Sequence, residues 1–426
     1  MSGPGTGVGH QALLTEVRTA LSASSLGEDG LRVGLEVEVI PVRDDGGRLP
    51  LTRAGDGTAL DGPSASALEL VREAASTRDW HERRVPDGLP TFDVPGPASL
   101  TFEPGGQIEI RTVPAASVGQ ATRGALEPLR VLHEVAGRHG VRLLARGMDP
   151  EGKVTDVPLG TDTPRYRRQA AHYDRVGPWG RRMMLQSAAI HVNLDLGGRP
   201  VRRWSAANRM APYLVALFAN SPRYQEQDAG VRSVRAEQWR HLDPTRTGVF
   251  QDEQDPAREY LRFALAARDF LGTGEGVEAR SFRAGWEQGA DLEAWRAHLT
   301  TLFPEVRPRG YLEVRSIDTL RPAWLGVPAV ILAGILYDPR SLEESLRLLP
   351  PATEERLLRA GRVGLGDEEL ADTGLQLFDL ALEGAARLGG RQDGEVLERA
   401  RAFRDRFPAR RRDPGHEGDP ADPFEP

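Results

Sequence analysis

The chain of 426 residues has no cysteine and a single lysine, Lys153. The first absence removes disulfides, thiolate nucleophiles and cysteine-ligated zinc or iron–sulfur sites. The second removes phosphate loops that close on a lysine. Lys153 lies in Glu151-Gly152-Lys153-Val154, a turn sequence without the Gly-Lys-Ser/Thr ending of such a loop, and no kinase-type lysine is available elsewhere. Any phosphate bound here must be met by arginine, metal ions or backbone amides. No apolar run reaches the roughly 18–20 residues of a membrane span. Met1-Ser2-Gly3-Pro4-Gly5 lacks the charged and apolar regions of a signal peptide, so a cytoplasmic protein is expected. The net charge of −7 gives no footing for a nucleic-acid partner.

What is present alternates between two periods. Gln11–Ala23 carries Leu13, Leu14, Val17 and Leu21 at helical spacing. Leu31–Val42 switches to period two, with Leu35, Val37 and Val39 between Glu36 and Glu38, and Asp44–Gly47 ends it as a turn. A short helix is expected near 65–75, a long one over Gly119–His139 with Gly140 as its C-cap, and others over Pro164–Val176, Trp204–Asn220, Ala257–Leu271, Asp291–Phe303 and Ala329–Tyr337. Val231–Phe250, rich in Arg, Trp and Gly without a clean period, reads as a functional loop or lid. From Leu342 the chain is helical. Residues 1–9 read as a flexible N-terminus, 10–407 as a single catalytic domain and 408–426 as a disordered tail. Without regular βαβ alternation, the fold class is α+β, a mainly antiparallel sheet covered by helices, with a helical C-terminal third.

Four strands share one design. Their polar faces carry Glu36 with Glu38; Glu103, Gln107 and Glu109 around Pro104-Gly105-Gly106; His191 with Asn193; and Glu313 with Arg315. Residues two apart on a strand project together, so strands in one sheet would bring five carboxylates and an imidazole to one surface. Such a group repels itself unless cations compensate. Oxygen donors with one imidazole suit Mg2+, or Mn2+, better than zinc or copper, and Mg2+ held this way commonly completes its shell with phosphate oxygens. Spacing alone leaves a second reading open, in which each pair is an ordinary solvated strand face. Two other patterns fail in context. His133-Glu134 and His139 lack the i, i+4 spacing of a zinc-protease helix and read as surface residues, and the glycine run at 272–276 follows a helix, not the strand that a dinucleotide fingerprint needs.

Read together, Gly34–Glu38, Glu103–Glu109, His191–Asp195, Ala216–Pro222, Arg246–Gly248 and His298–Asp318 resemble the glutamate–cysteine ligases of the plant and proteobacterial type, in order from about Leu31 to Tyr337. The resemblance implies a glutamine-synthetase-like sheet curved into a funnel, with ATP and Mg2+ at its floor. It implies glutamate, cysteine and ATP as substrates, joined through a γ-glutamyl phosphate. By motif, Glu36, Glu38, Glu103, Glu109, His191 and Glu313 would ligate metal. Asn193 and Arg315 would face the nucleotide, with Arg315 and Arg235 acting on the transferring group. Arg235, Trp239, Arg246 and Thr247 would line the substrate loop. His191 stands where plant enzymes carry Gln. No motif identifies the pocket of the acceptor amine, which leaves open a ligase for another amine or a non-catalytic nucleotide-binding homologue.

Overall fold

The computed structural model describes residues 9–22, 27–52, 66–85, 88–96, 98–161, 163–272, 278–391, 393–418 and 422–425. The N-terminal residues 1–8 and residues 273–276 of the glycine run lie outside these. Eleven strands are described: β1 Val33–Arg43, β2 His81–Arg83, β3 Thr91–Val94, β4 Ala98–Phe102, β5 Ile108–Thr112, β6 Val141–Leu144, β7 Ala189–Leu194, β8 Arg223–Tyr224, β9 Gln227–Asp228, β10 Val306–Pro308 and β11 Leu312–Asp318. The helices are α1 His10–Ala20, α2 Ala67–Thr77, α3 Val118–Arg138, α4 Pro164–Val176, α5 Pro178–Gln186, α6 Pro200–Leu217, α7 Val234–His241, α8 Pro256–Ala266, α9 Phe282–Trp286, α10 Leu292–Leu299, α11 Val327–Leu336, α12 Pro339–Leu348, α13 Glu354–Val363, α14 Glu368–Arg387 and α15 Gly394–Arg406.

One antiparallel sheet runs β10-β11-β7-β1-β5-β4-β3-β2, with β6 pairing the far end of β1. The register decides what the strands can do. Glu36 of β1 lies opposite Arg111 on one side and His191 on the other, and Glu38 lies opposite Glu109. Glu313 of β11 lies opposite Asn193 of β7 and Arg307 of β10. Directly opposed residues share a face, so the polar faces of four neighbouring strands merge into one. The other face is apolar. Leu35, Val37, Val39, Ile108, Ile110, Ile190, Val192 and Val314 are all within 1 % of complete burial and belong to one core reaching from Leu13 to Phe407. Helices α3, α6 and α11 pack beneath this face. Every residue of α11 is buried, so it has no polar stripe. Among the described residues no single helix is long and apolar enough to cross a membrane.

Four expectations change. Thr101–Arg111 is a hairpin, not one bent strand: β4 and β5 pair, and the turn between them closes with Glu103 N–H to Gln107 O at 2.9 Å and Gly106 N–H to Glu103 O at 2.9 Å. Val231–Phe250 is not an irregular loop. It contains α7, capped by Ser233, whose Oγ accepts from Ala236 N at 3.0 Å. Its apolar period is hidden because Arg235 and Gln238 are buried beside Val234 and Trp239. The tail is ordered over 408–418. Asp413 is fully buried and accepts from Arg232 at 2.6 and 2.9 Å, and Gly415 N donates to Ala219 O at 3.0 Å. Charge and proline made this segment look solvated, yet its charges are paired by tertiary partners. His133, read as a surface residue, is half-buried with its ring 5.3 Å from that of Phe424.

Candidate active site

A cavity of about 540 Å³ opens over the merged polar face. Its floor is Glu36, Glu38, Glu109 and His191, with Glu103 at the hairpin turn and Glu313 beyond. Tyr166 of α4 and Met183 and Met184 of α5 form one wall, and Trp239 and Phe303 contribute to another.

The acidic floor falls into two overlapping groups. Ligand atoms of Glu36, Glu109 and His191 lie within 4.8 Å of one another, as do those of Glu38, Glu103 and Glu109. Glu109 is common to both. Three of the four carboxylates are oriented by a neighbour. Asn193 Nδ2 donates to Glu36 at 3.0 Å, His191 Nδ1 lies 3.3 Å from the other Glu36 oxygen, and the Ala189 amide donates to Glu38 at 2.9 Å. Thr101 Oγ1 donates to Glu109 at 2.6 Å, and Arg111 pairs with the same oxygen at 2.6 Å.

The electrostatics divide the floor. Burial, helped by the charges of Glu103 and Glu36 and opposed by Arg111, pushes the Glu109 carboxyl up to about 8. Burial and the charges of Glu103 and Glu109 raise Glu38 well above the ordinary range, and burial raises Glu103 against the pull of Arg111, Arg165 and Arg315. Burial works the same way on Glu36, but hydrogen bonds from His191 and Asn193 outweigh it and hold Glu36 well below the usual range. Burial keeps His191 on the neutral side, the form in which an imidazole is free to ligate a metal. Three buried carboxylates that resist ionising together would be relieved by a cation placed among them.

Cations ring this floor. Arg307 holds Glu313 through both oxygens, one contact at 2.8 Å, while Arg315 and His191 each stand 4.0 Å from that carboxylate. Despite burial, these arginines keep Glu313 ionised. It lies outside both metal-capable groups. Arg315 and Arg235 both sit over the Trp239 ring, at 5.3 and 5.0 Å, and Trp239 is fixed by Nε1–H to Phe303 O at 2.8 Å. Arg235 donates to Arg315 O at 2.7 Å and pairs with buried Asp318 at 3.6 Å.

Of the residues singled out from sequence, Glu36, Glu38, Glu103, Glu109, His191, Glu313, Arg235, Arg315 and Trp239 line the cavity. Asn193 does not; it stands behind Glu36 as a hydrogen-bond donor. Arg246 and Thr247 lie elsewhere. Arg246 is completely buried against Asp243 at 3.2 Å, Thr301 O at 2.9 Å, Thr301 Oγ1 at 2.7 Å and the Phe270 ring at 4.3 Å, so it braces the loop from within. Sequence reasoning left out Arg111, Arg165 and Arg307, which also line the cavity. Arg111 was legible as the third member of the Gln107, Glu109, Arg111 alternation. Arg307 sits on a three-residue strand, too short to show a period.

Comparison with known proteins gives this geometry a lineage. The chloroplastic glutamate–cysteine ligase of Medicago truncatula is 30% identical over 351 residues, covering 76% of this chain and 69% of that protein. The glutamate–cysteine ligase EgtA of Mycolicibacterium smegmatis is 32% identical over 312 residues, covering 68% and 72%. The solved structure of the glutamate–cysteine ligase of Francisella tularensis in complex with AMP superposes with a TM-score of 0.53 over 90% of this chain and 83% of that one; at 14% identity it speaks to the fold alone. The family model of glutamate-cysteine ligase family 2 (GCS2) matches residues 32–397, and the chain belongs to that family.

Proposed function

We propose that the cavity joins the γ-carboxylate of glutamate to the amine of cysteine while ATP is cleaved to ADP and phosphate. The observation that carries this reading is the shared Glu109 cluster lying beneath two desolvated guanidiniums, those of Arg235 and Arg315. Oxygen-rich and short of positive charge, the groups Glu36–Glu109–His191 and Glu38–Glu103–Glu109 fit Mg2+ or Mn2+. Ions bound there would neutralise the phosphate charge that the floor carboxylates otherwise repel.

The chain's own residues supply the remainder. Phosphoryl transfer asks a protein for positioning and charge stabilisation more than for covalent chemistry. Arg315, buried so that its pKa falls to about 10 yet still charged at neutral pH, faces the cavity beside Arg235. Planar guanidiniums can take a carboxylate or a phosphoryl group through two parallel hydrogen bonds. A γ-carboxylate oxygen attacks the γ-phosphorus and ADP leaves. The amine then attacks the acyl carbon, the carbon–oxygen bond to phosphate breaks, and the amine sheds a proton. Burial protects the acyl phosphate from water during the second step. Met183, Met184 and Phe303 give the cavity an apolar, polarisable lining suited to a small soft side chain such as that of cysteine. On the same reading the product would feed glutathione-type thiol biosynthesis.

Purified protein with glutamate, ATP and Mg2+ should release ADP when cysteine is added. Release with another amine but not with cysteine moves the chain to a different carboxylate–amine ligation. Binding of Mg-ATP without turnover under any amine makes it a non-catalytic member of the family.

A further inference from the structure

The C-terminus of α5 ends beside the turn that carries Glu103, and an isolated helix would leave its last four carbonyls unpaired. Here each has a partner, local for Met183 and from elsewhere in the chain for the other three. Met183 O accepts from Ser187 Oγ at 2.6 Å, and Met184 O accepts from Gln107 Nε2 at 3.4 Å. Leu185 O accepts from Arg48 Nη2 at 3.2 Å, and Gln186 O accepts from Asp149 N at 2.9 Å. Two of these partners belong to a single device. Arg48 Nη2 also donates to Gly105 O at 2.7 Å, and its Nη1 stands 3.5 Å from the carboxylate of Asp149. Both side chains of that pair are buried, at 4% and 0% exposure. Asp149 is itself held by the amides of Glu151 and Gly152, at 3.1 and 3.0 Å. A cation at a helix C-terminus also complements the helix dipole.

We propose that Arg48 is a positioning residue for Glu103. One guanidinium binds the hairpin turn, two residues from Glu103, and the end of the helix that carries Met183 and Met184. The acidic floor and the apolar wall are thereby set relative to each other. Space at this junction is tight: a Cβ on Gly105 would lie 2.1 Å from Leu185 O, so the turn can approach α5 this closely only with glycine there. Without Arg48, two buried carbonyls and the Asp149 carboxylate lose their cationic partner, and Glu103 is free to leave its place beside Glu38 and Glu109. The inference rests on the reading of those three carboxylates as a metal-binding set.

The test is Mn2+ binding to the full chain, followed by electron paramagnetic resonance without substrates, beside the Mg2+ concentration needed for half-maximal turnover. The variants are R48M and R48K, with L377A as a control for stability alone, since Leu377 is buried in α14 away from the cavity. In R48M the Mn2+ dissociation constant should rise at least about tenfold, the loss expected when an outer partner of a ligand is removed. The Mg2+ requirement should rise with it. R48K keeps the charge without the planar fork and should fall between wild type and R48M. L377A should lose thermal stability and keep wild-type Mn2+ affinity. Wild-type affinity in R48M despite a lowered melting temperature would overturn the proposal; should R48M not fold, wild-type affinity in R48K would do the same. A wild-type chain that binds no Mn2+ fails before any variant is made and sinks the metal reading together with this one.

Discussion

Replacing Arg246 with methionine separates two roles for a residue that its family motif assigns to the substrate loop. In the structure Arg246 is completely buried and pairs with Asp243 at 3.2 Å, in a network with His172 at 3.0 Å and Arg268 at 2.9 Å from that carboxylate. Burial works against the Asp243 charge, but His172, Arg246 and the Thr245 amide hold it down at about 2, against 3.8 for a free side chain. That difference is worth about 2.4 kcal/mol at neutral pH, shared among the partners. Because the folded-state value is depressed, this stability is present above the unfolded value and is lost as pH falls through about 2. Methionine fills much of the volume but removes the charge, both hydrogen bonds to Thr301 and the stacking on Phe270. Breaking a buried pair from one side costs about 3–5 kcal/mol, and the low end applies because Arg268 and His172 remain. With an unfolding entropy of about 2.1 cal/mol/K per residue, a chain of this length should melt about 3–4 °C lower. The assay is a melting curve beside Michaelis constants for glutamate, cysteine and ATP, measured well below the transition. An unchanged melting temperature with a Michaelis constant raised tenfold or more would refute this reasoning and return Arg246 to the substrate loop.

Glu109→Gln keeps the shape of the side chain and removes a carboxyl whose charged form burial, Glu103 and Glu36 disfavour. Its melting temperature should match or exceed wild type, while turnover falls by about 10²–10³-fold or more; near-normal turnover would remove Glu109 from the reaction. Burial holds His298 neutral, with its pKa down at about 3, stacked on Phe282 at 4.6 Å and bonded to Ala264 O at 2.9 Å. Here the neutral form is the folded one, so its stability is complete above the unfolded value of 6.5 and drains away as pH falls toward 3. The full loss is on the order of 4–5 kcal/mol. His298→Gln, which cannot take up that proton, should give a flatter melting curve between pH 6.5 and 4 than wild type, and parallel curves would contradict the assignment. Gly105→Ala should lower both melting temperature and turnover, because its Cβ would meet Leu185 O at 2.1 Å. Gly137→Ala in α3, which meets nothing within 4 Å, should instead stabilise by about 0.5–1 kcal/mol; equal effects of the two would mean that the close approach at Gly105 is unimportant.

The strands were legible because one buried and one polar face impose a strict period of two. The stretch read as 31–42 is β1 at Val33–Arg43, and the strand read from His191 and Asn193 is β7 at Ala189–Leu194. Register was not legible, since a strand does not name its neighbour. It is the register that puts Glu36 between Arg111 and His191. The cationic half of the cavity was also largely hidden. Arg307 reaches Glu313 from a strand of three residues, and Arg165 reaches the cavity from a helix whose several arginines look alike in sequence. Arg246 illustrates the opposite difficulty. A family motif identifies a loop, but it does not say whether an arginine within it points into the cavity or into the protein. The tail fails for a related reason: Asp413 and Glu417 look solvated until Arg232, Arg406 and Arg321 are placed around them.

The near-absence of lysine takes on a meaning inside the cavity that it lacks elsewhere in the chain. Many of the arginines form exposed pairs, where lysine would serve about as well. Arg315 is different. Burial lowers its pKa from 12.5 to about 10, with Arg307 adding to the effect and Glu313 opposing it. A lysine begins near 10.4, and the same depression would bring it to about 8, where a fraction of the molecules have lost the charge at neutral pH. Developing phosphoryl charge would then meet a neutral amine in those molecules. Lysine would also forgo the stacking of a flat cation on Trp239, which arginine retains at 5.3 Å. A floor of mutually repelling carboxylates needs cations that stay charged when buried, and for a site at this depth guanidinium is the side chain that meets the requirement. Arg315→Lys should therefore cost about twice as much turnover, relative to wild type at the same pH, at pH 8, where about half of the lysine has lost its charge, as at pH 6, where it is fully protonated, whereas a purely geometric role for the fork would make the loss equal at both.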